Sequence, residues 1–241
     1  MNFDVLQKIN EIFPNDKFKI DINDTTNTVT IRSIIAPTSS CLILIIRKDH
    51  IIVSSLAKCN ITESEGTGTS LMLKVELLAK KIGIGSIKIY DDSKIHICGN
   101  EIDLFHFKII MKGISWYNSL GYKSEIYDEE IKHNKHIISS RISDIAKRVG
   151  LDISRFQSIS DDETVQQYIT RFFNLIQQRE PQCDQIHKDN GEYVKTIITK
   201  ISQLFLYERM LEKIISQGAG RRKQRTKNKK PNKKKRTRKN K

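Results

Sequence analysis

The chain has little of what marks several common protein classes. Among its 241 residues are four cysteines, four prolines and one tryptophan. Cys41, Cys59, Cys98 and Cys183 show no Cys-x-x-Cys spacing, which excludes a zinc ribbon or a recognisable disulfide framework, and they read as reduced thiols. No apolar run approaches the roughly 20 residues that a membrane-spanning helix needs. The longest, Cys41 to Ile46, stops at the charged stretch Arg47 to His50. The opening MNFDVLQKIN lacks the basic-then-apolar pattern of a secretory leader. The expectation is a soluble intracellular protein, cytoplasmic or nuclear, with no membrane insertion.

Acidic residues are absent from one segment. Residues 221–241 hold fourteen Lys/Arg and no Asp or Glu, which equals the net charge of +14 carried by the whole chain. The rest is electrically balanced. The two parts therefore call for separate explanations. Arg221 to Lys241 has no apolar residue to bury and is expected to be disordered when free. It would attract nucleic acid or another polyanion non-specifically, through counterion release rather than base reading. Such tails resemble those of many large-DNA-virus proteins, so a virion-associated location joins the expected compartments.

The body reads as α/β and then helical. Phe3, Leu6, Ile9 and Phe13 fall on one face of an opening helix capped by Asn2, and Pro14-Asn15-Asp16 ends it. Alternation over Phe18 to Ile22 and Val29 to Ile31, around the turn residues Asn23 to Asn27, predicts a hairpin. Cys41 to Ile46 and Ile51 to Ala57 are unbroken apolar segments, the pattern of central strands covered on both faces. A helix from about Ser70 to Ile82 follows, then a strand Ile84 to Tyr90, a short strand Ile95 to Cys98, and one helix from Asp103 to Leu120. Gly121-Tyr122 breaks that helix and starts a further short strand. Helices are expected over Ile137 to Val149, over Asp162 to Gln178 with Asp161 or Asp162 as cap, and over Tyr193 to Ile215. His133 and His136 have no nearby Cys or Asp partners and do not make a metal site; a solvated helix face accounts for them. No metal is expected.

One unit carries chemistry. The strand Ile51 to Ala57 leads into Glu65-Gly66-Thr67-Gly68-Thr69-Ser70 and then into a helix. Glycines allow backbone amides to turn toward an anion, and the free amides of a helix N-terminus add to the attraction. No Gly-Lys-Ser/Thr closes the loop, so it is not a Walker loop, and the third glycine of the dinucleotide fingerprint is missing. About fifty residues on stands Trp116-Tyr117-Asn118-Ser119-Leu120-Gly121-Tyr122, an aromatic pair followed by a Gly-aromatic turn.

Together these two motifs resemble the GNAT superfamily of N-acetyltransferases. Gly66-Thr67-Gly68 with the following Leu71 is similar to the acetyl-CoA loop, and Trp116 to Tyr122 is similar to the end of the late helix. The resemblance spans about Phe18 to Tyr127. It implies a mixed central sheet flanked by helices over residues 1–127, and leaves the helical extension over 128–217 and the basic tail over 218–241 unexplained. It implies acetyl-CoA as cofactor, with backbone groups of Ser54, Ser55, Leu56 and Ala57 along the pantetheine and Gly66, Thr67, Gly68, Thr69 and Ser70 around the pyrophosphate. Tyr117 takes the place of the general acid that protonates the departing thiolate. An amine would be the acceptor. For the general base, the carboxylates at the end of the next strand, Asp91 and Asp92, are the candidates. Three features depart from the pattern: Glu63 replaces a Gln or Arg while Glu65 adds a second anion beside the loop, Asp91 to Asp103 is a long link, and no carboxylate lies between Ile51 and Ala57 to serve as the base. Lys58 and Lys74 are the sequence neighbours able to offset those anions. A non-catalytic scaffold of the same fold, binding nucleic acid through its tail, is the competing expectation.

Overall fold

A computed structural model describes residues 3–59, 61, 66–97, 99–153, 160, 162–177 and 185–216. The fold is α+β, with a six-stranded mixed sheet and, among the described residues, eight helices. Helix α1 (Phe3–Ile12) buries Ile9 and Ile12 and leaves Phe3 in solvent. Strands β1 (Phe18–Asn23) and β2 (Thr28–Ser33) form the expected antiparallel hairpin, in which Asn23 Oδ1 accepts from the Thr26 amide at 3.2 Å and Asn27 takes the positive φ of the turn. Asx residues suit such turns because their short polar side chains hydrogen-bond the local backbone. Strands β3 (Ser40–Ile46) and β4 (His50–Leu56) make a second hairpin in the middle of the sheet.

The chain crosses over through α2 (Gly68–Ile82) and returns in β5 (Ser86–Tyr90), the only strand of the large sheet parallel to its neighbour β4. A small hairpin of β6 (Lys94–Ile97) and β7 (Asn100–Asp103) precedes α3 (Leu104–Lys112) and the short α4 (Trp116–Ser119). Then come α5 (Tyr127–Ser139), α6 (Ile142–Val149), α7 (Val165–Gln177) and α8 (Gln185–Ser202). The last strand, β8 (Met210–Ile214), runs antiparallel to β5, so the sheet order is β1-β2-β3-β4-β5-β8.

Two apolar cores result. One joins the sheet to α1 and α2 through Ile9, Phe13, Leu42, Leu44, Ile51, Leu71, Val75 and Ile87. The other is built among α3, α5, α6, α7 and α8 through Phe107, Ile110, Ile137, Ile142, Ile169 and Ile197.

Several expectations change. The continuous apolar runs of β3 and β4 are not covered on both faces. Leu42, Leu44, Ile51 and Val53 are buried toward α2, while Ile43, Ile45 and Ile52 are half-buried on the reverse face, where Tyr90, Met210 and Ile214 are 54%, 52% and 72% exposed. An apolar run identifies a strand without saying how many layers cover it. The single helix from Asp103 to Leu120 is two, because Gly113 adopts a left-handed φ of 78° and caps α3 on Ile109. Tyr122 and Lys123 form no regular strand; Lys123 makes an isolated bridge to Glu212. Ser140 and Arg141 likewise separate α5 from α6. The cap of α7 is Thr164, whose Oγ1 accepts from the Gln167 amide at 3.2 Å while Gln167 Oε1 accepts from the Thr164 amide at 2.9 Å. This is a capping box, and Asp162 instead pairs with Arg141. Asn2 and Asp161 lie outside the described residues.

The helix expected from Tyr193 to Ile215 ends at Ser202, and the residues beyond Arg209 form β8. Leu211 is buried in the sheet core and Ile201 in the helical one. A boundary at residue 127 therefore does not separate the cores: α3 belongs to the helical side and β8 to the sheet. The tail, residues 218–241, lies outside the described residues.

Candidate functional site

The site forms where two strands part. β4 and β5 pair from His50↔Ser86 to Val53↔Ile89 and no further, although β4 continues to Leu56. On its other side β4 carries an extra residue: Leu44 faces Val53 and Ile43 faces Ser55, so Ser54 is left over as a bulge. A bulge bends and twists the strand that carries it. β5 meanwhile stays with β8, and the Asp91 amide donates to the Arg209 carbonyl at 2.8 Å. The divergence opens a cleft of about 690 Å³. Leu56, Ala57 and Lys58 form one wall, Thr67 and Gly68 the end, and Asp92, Ser93 and Lys94 the opposite wall. Leu104 and Lys108 of α3 and Trp116 and Tyr117 of α4 close it.

The glycine segment is mostly helix. Gly68, Thr69 and Ser70 are the first turn of α2, and Thr67 is its cap, with Oγ1 accepting from the Ser70 amide at 3.2 Å. The Leu71 amide donates to the Thr67 carbonyl. The amides of Gly68 and Thr69 have no carbonyl to bond within the helix, and a 15-residue helix places its positive end there. Both glycines also answer packing demands. A Cβ on Gly66 would stand 1.9 Å from the Cys59 carbonyl oxygen, and one on Gly68 would stand 2.9 Å from Trp116 Cη2. Gly66 O accepts from the Cys59 amide at 2.9 Å. Cys59 is joined to Cys41 of β3 by a disulfide, which corrects the reading of these two as reduced thiols. Their separation of 18 residues gave no spacing motif, and only the β3–β4 pairing brings them together. Cys98, Cys183, Glu63 and Glu65 lie outside the described residues.

Tyr117 lines the cleft, and Asp91 lies buried outside the lining, within electrostatic reach of Tyr117. Tyr117 is 5% exposed; burial first, and the charge of Asp91 second, hold its phenol well above the usual range, so it keeps its proton. α4 is fixed by a reciprocal cap, with Ser115 Oγ accepting from the Asn118 amide and Asn118 Oδ1 accepting from the Ser115 amide, each at 3.1 Å. Asp91 is 2% exposed. Its Oδ1 accepts from Ser93 Oγ at 2.7 Å, and its buried Oδ2 has no hydrogen-bond partner among the described residues. Burial raises its pKa above the ordinary carboxylate value, against the opposing hydrogen bonds of Ser93. Asp92 differs: it is exposed and paired with Arg209 at 2.7 Å.

The sequence-derived site residues divide accordingly. Leu56, Ala57, Thr67, Gly68, Asp92 and Tyr117 line the cleft. The Ala57 amide is already spent on the Cys41 carbonyl, and the Ser70 amide on its cap. Ser54 and Ser55 sit at the bulge outside the lining, and Gly66 is buried behind the loop. Lys74 points away, donating to the Ile12 carbonyl at 3.2 Å.

Lys58 was visible as a sequence neighbour, but Lys94 and Lys108 arrive from the β6–β7 hairpin and α3, and a lysine-rich chain gives no signal to single them out. His106 was also missed. On the far side of α3 it lines a second cleft of about 450 Å³ with Lys94, Asp103, Lys195 and Tyr207. Its Nδ1 lies 3.1 Å from Asp103 Oδ2, its Nε2 is buried without a partner among the described residues, and burial lowers its pKa. His133 is not a merely solvated residue: its Nε2 bonds the Leu204 carbonyl at 2.8 Å.

Comparison of the chain with protein-family models, curated proteins and solved structures finds no match.

Proposed function

We propose that this protein is an N-acyltransferase that uses an acyl-thioester cofactor of the acetyl-CoA type and an amine acceptor. The observation that carries this reading is the convergence of a strand divergence, a helix N-terminus and a buried, protonated tyrosine on one cleft. The residues present fit a long, phosphate-bearing thioester. Lys58, Lys94 and Lys108 give the cleft cationic walls, although Lys94 also pairs with Asp103. Gly68 and Thr69 offer amides at the positive end of α2, a setting that favours phosphate oxygens. Leu56, Leu104 and Trp116 supply apolar contact for the uncharged arm.

A thioester supplies an activated acyl carbonyl and a thiolate leaving group. The chain's task is then to move two protons. Tyr117, kept protonated by burial, donates from Oη to the leaving sulfur as the carbon–sulfur bond breaks. Asp91, with its orphan Oδ2 and raised pKa, takes the proton released by the attacking amine through water, since it lies behind the residues that line the cleft. A carboxyl shifted toward neutrality is a better matched base than an exposed one. Asp92, held by Arg209, is the weaker candidate.

Calorimetric titration of the full chain with CoA and acetyl-CoA tests the reading. Micromolar to sub-millimolar binding is expected, with Tyr117→Phe lowering turnover by about 100-fold while leaving affinity within about a factor of two. Absence of binding at millimolar ligand would overturn it.

A second reading has its own support. Gly66 and Gly68 are both accounted for by close packing against Cys59 and Trp116, so a non-catalytic scaffold of the same fold also explains them. In that reading residues 221–241 tether the protein to nucleic acid. Binding to a DNA duplex and to RNA, measured against salt with and without those residues, decides the tail's part: truncation should abolish the affinity and flatten the salt slope. Unchanged binding after truncation would defeat it.

A further inference from the structure

We infer that the uncovered face of the large sheet docks a second copy of this chain, through a two-fold interface in which Lys88 of each copy meets Glu212 of the other. The cleft and its chemistry play no part in it. The face is divided by composition. On β1 and β2 it presents Lys19, Asp21, Thr28, Thr30 and Arg32, with Arg32 paired to Asp21. That is the polar outside of an antiparallel sheet with one side in water. On β3, β4, β5 and β8 the same face presents Ile43, Ile45, Ile52, Tyr90, Met210 and Ile214. None of these six packs against either apolar core. One half of the surface is written for solvent and the other for burial.

The apolar half is contiguous. Ile45 faces Ile52 across β3 and β4, Ile52 faces Lys88 across β4 and β5, and Lys88 faces Glu212 across β5 and β8. The Tyr90–Met210 pair lies on one side of that row and Ile214 on the other. An apolar patch with a polar border marks a contact surface.

The occupant follows from charge and supply. Lys88 and Glu212 stand side by side, one charge of each sign, and neither makes a salt bridge with a described residue. Such a surface complements itself: turned about a two-fold axis, each charge meets its opposite. A partner of one sign would cover one of the two unmatched. The longer stretches of chain outside the described residues, 154–159, 178–184 and 217–241, hold Phe156 and Ile159 as their only large apolar side chains, too few to bury six. Six strands about 4.8 Å apart and about 17 Å long give the whole face a footprint of about 500 Å². That is below the roughly 800 Å² per partner of a standard interface, so the dimer is a reversible one, with a dissociation constant of about 10 to 100 µM.

Sedimentation velocity of the full chain, freed of nucleic acid, tests this from about 1 to about 500 µM. The 27.9 kDa monomer should give way to a species of twice that mass. Ile214→Glu, at a side chain 72% exposed, should stay monomeric with its melting temperature unchanged. Lys88→Glu and Glu212→Lys should each weaken association by about tenfold or more, because each sets like charges against one another across the axis. Mixed in equal amounts, the two variants should associate about as tightly as the parent. Within each chain of that mixture positions 88 and 212 still carry like charges, so the recovery reports on pairing between copies. A monomer throughout the range overturns the dimer, and so does a dimer unaffected by Ile214→Glu or a mixture no tighter than its components.

Discussion

Lys213 of β8 reaches Glu76 of α2, its Nζ 2.7 Å from Oε1, and donates at the same distance to the carbonyl of Leu120. Tyr122 Oη donates to the same carboxylate oxygen at 3.4 Å. Three parts of the chain far apart in sequence thus share one partly buried polar knot beneath α4. Breaking a pair of this kind leaves a charge without its partner, which costs more than the pair itself contributes. Lys213→Met should lower unfolding free energy by about 2 kcal/mol. Glu76→Gln combined with Lys213→Met should lose less than the sum of the single changes. Urea denaturation of the four proteins measures this, and strict additivity would rule out the coupling.

Asp91→Asn separates stability from activity. The folded-state pKa of Asp91 is raised by burial, so above the unfolded carboxylate value of about 3.9 the native state holds its proton more tightly than the unfolded state does. The group's contribution to stability therefore falls as pH rises through that value toward the folded one. Asparagine has no charge to bury. The variant should gain about 1 kcal/mol at pH 7 and nothing below about pH 3.5, while turnover drops. Melting temperatures of both proteins across that range, with a parallel assay, provide the check; a loss of stability at pH 7 contradicts it.

Gly66→Ala should be among the most damaging single changes. The new methyl would meet a backbone carbonyl at 1.9 Å, not the movable end of a side chain. The segment entering α2 must shift, at about 3 kcal/mol, and CoA binding should weaken with it. A melting temperature unchanged from the parent's would show that the Cys59–Gly66 contact is absent.

The Cys41–Cys59 disulfide joins residues 18 apart. Closing a loop of that size typically contributes about 3 kcal/mol. Peptide mapping without reductant should recover the linked pair, and a dithiol should lower the melting temperature to that of Cys41→Ser. Equal melting temperatures with and without the dithiol would leave the bond no stabilising role.

The sequence made the hydrogen-bonded periodicities legible and left the layers obscure. The β1–β2 hairpin follows directly from alternation and turn residues, the β3 and β4 strands from unbroken apolar runs, and α2 from the 3.6 period. β8 did not, because Leu211 and Ile215 are four apart and continue the spacing of Ile197 and Ile201, so a strand was hidden in a helical stripe. The partner that makes it a strand, β5, lies in the first half of the chain. In the site, Tyr117, Thr67 and Gly68 stood out because a local motif carries them. Lys94, Lys108 and His106 did not, since their proximity is created by the β6–β7 hairpin and by the two sides of α3. The pairing of Cys41 with Cys59 was hidden for the same reason, being a consequence of strand register.

β8 also sets an order of events. It pairs with β5 from Ser86↔Ile214 to Tyr90↔Met210, and residues 91–209, with nearly the whole helical core, lie between. A ribosome making this chain has released β1 through β5 long before the sixth strand exists, and until then β5 is an open edge able to pair with another chain. Closing so long a loop slows completion of the sheet. The Asp91–Arg209 backbone bond beside the cleft forms in that last step, so the wall in front of the proposed base is finished only after residue 209 has been made.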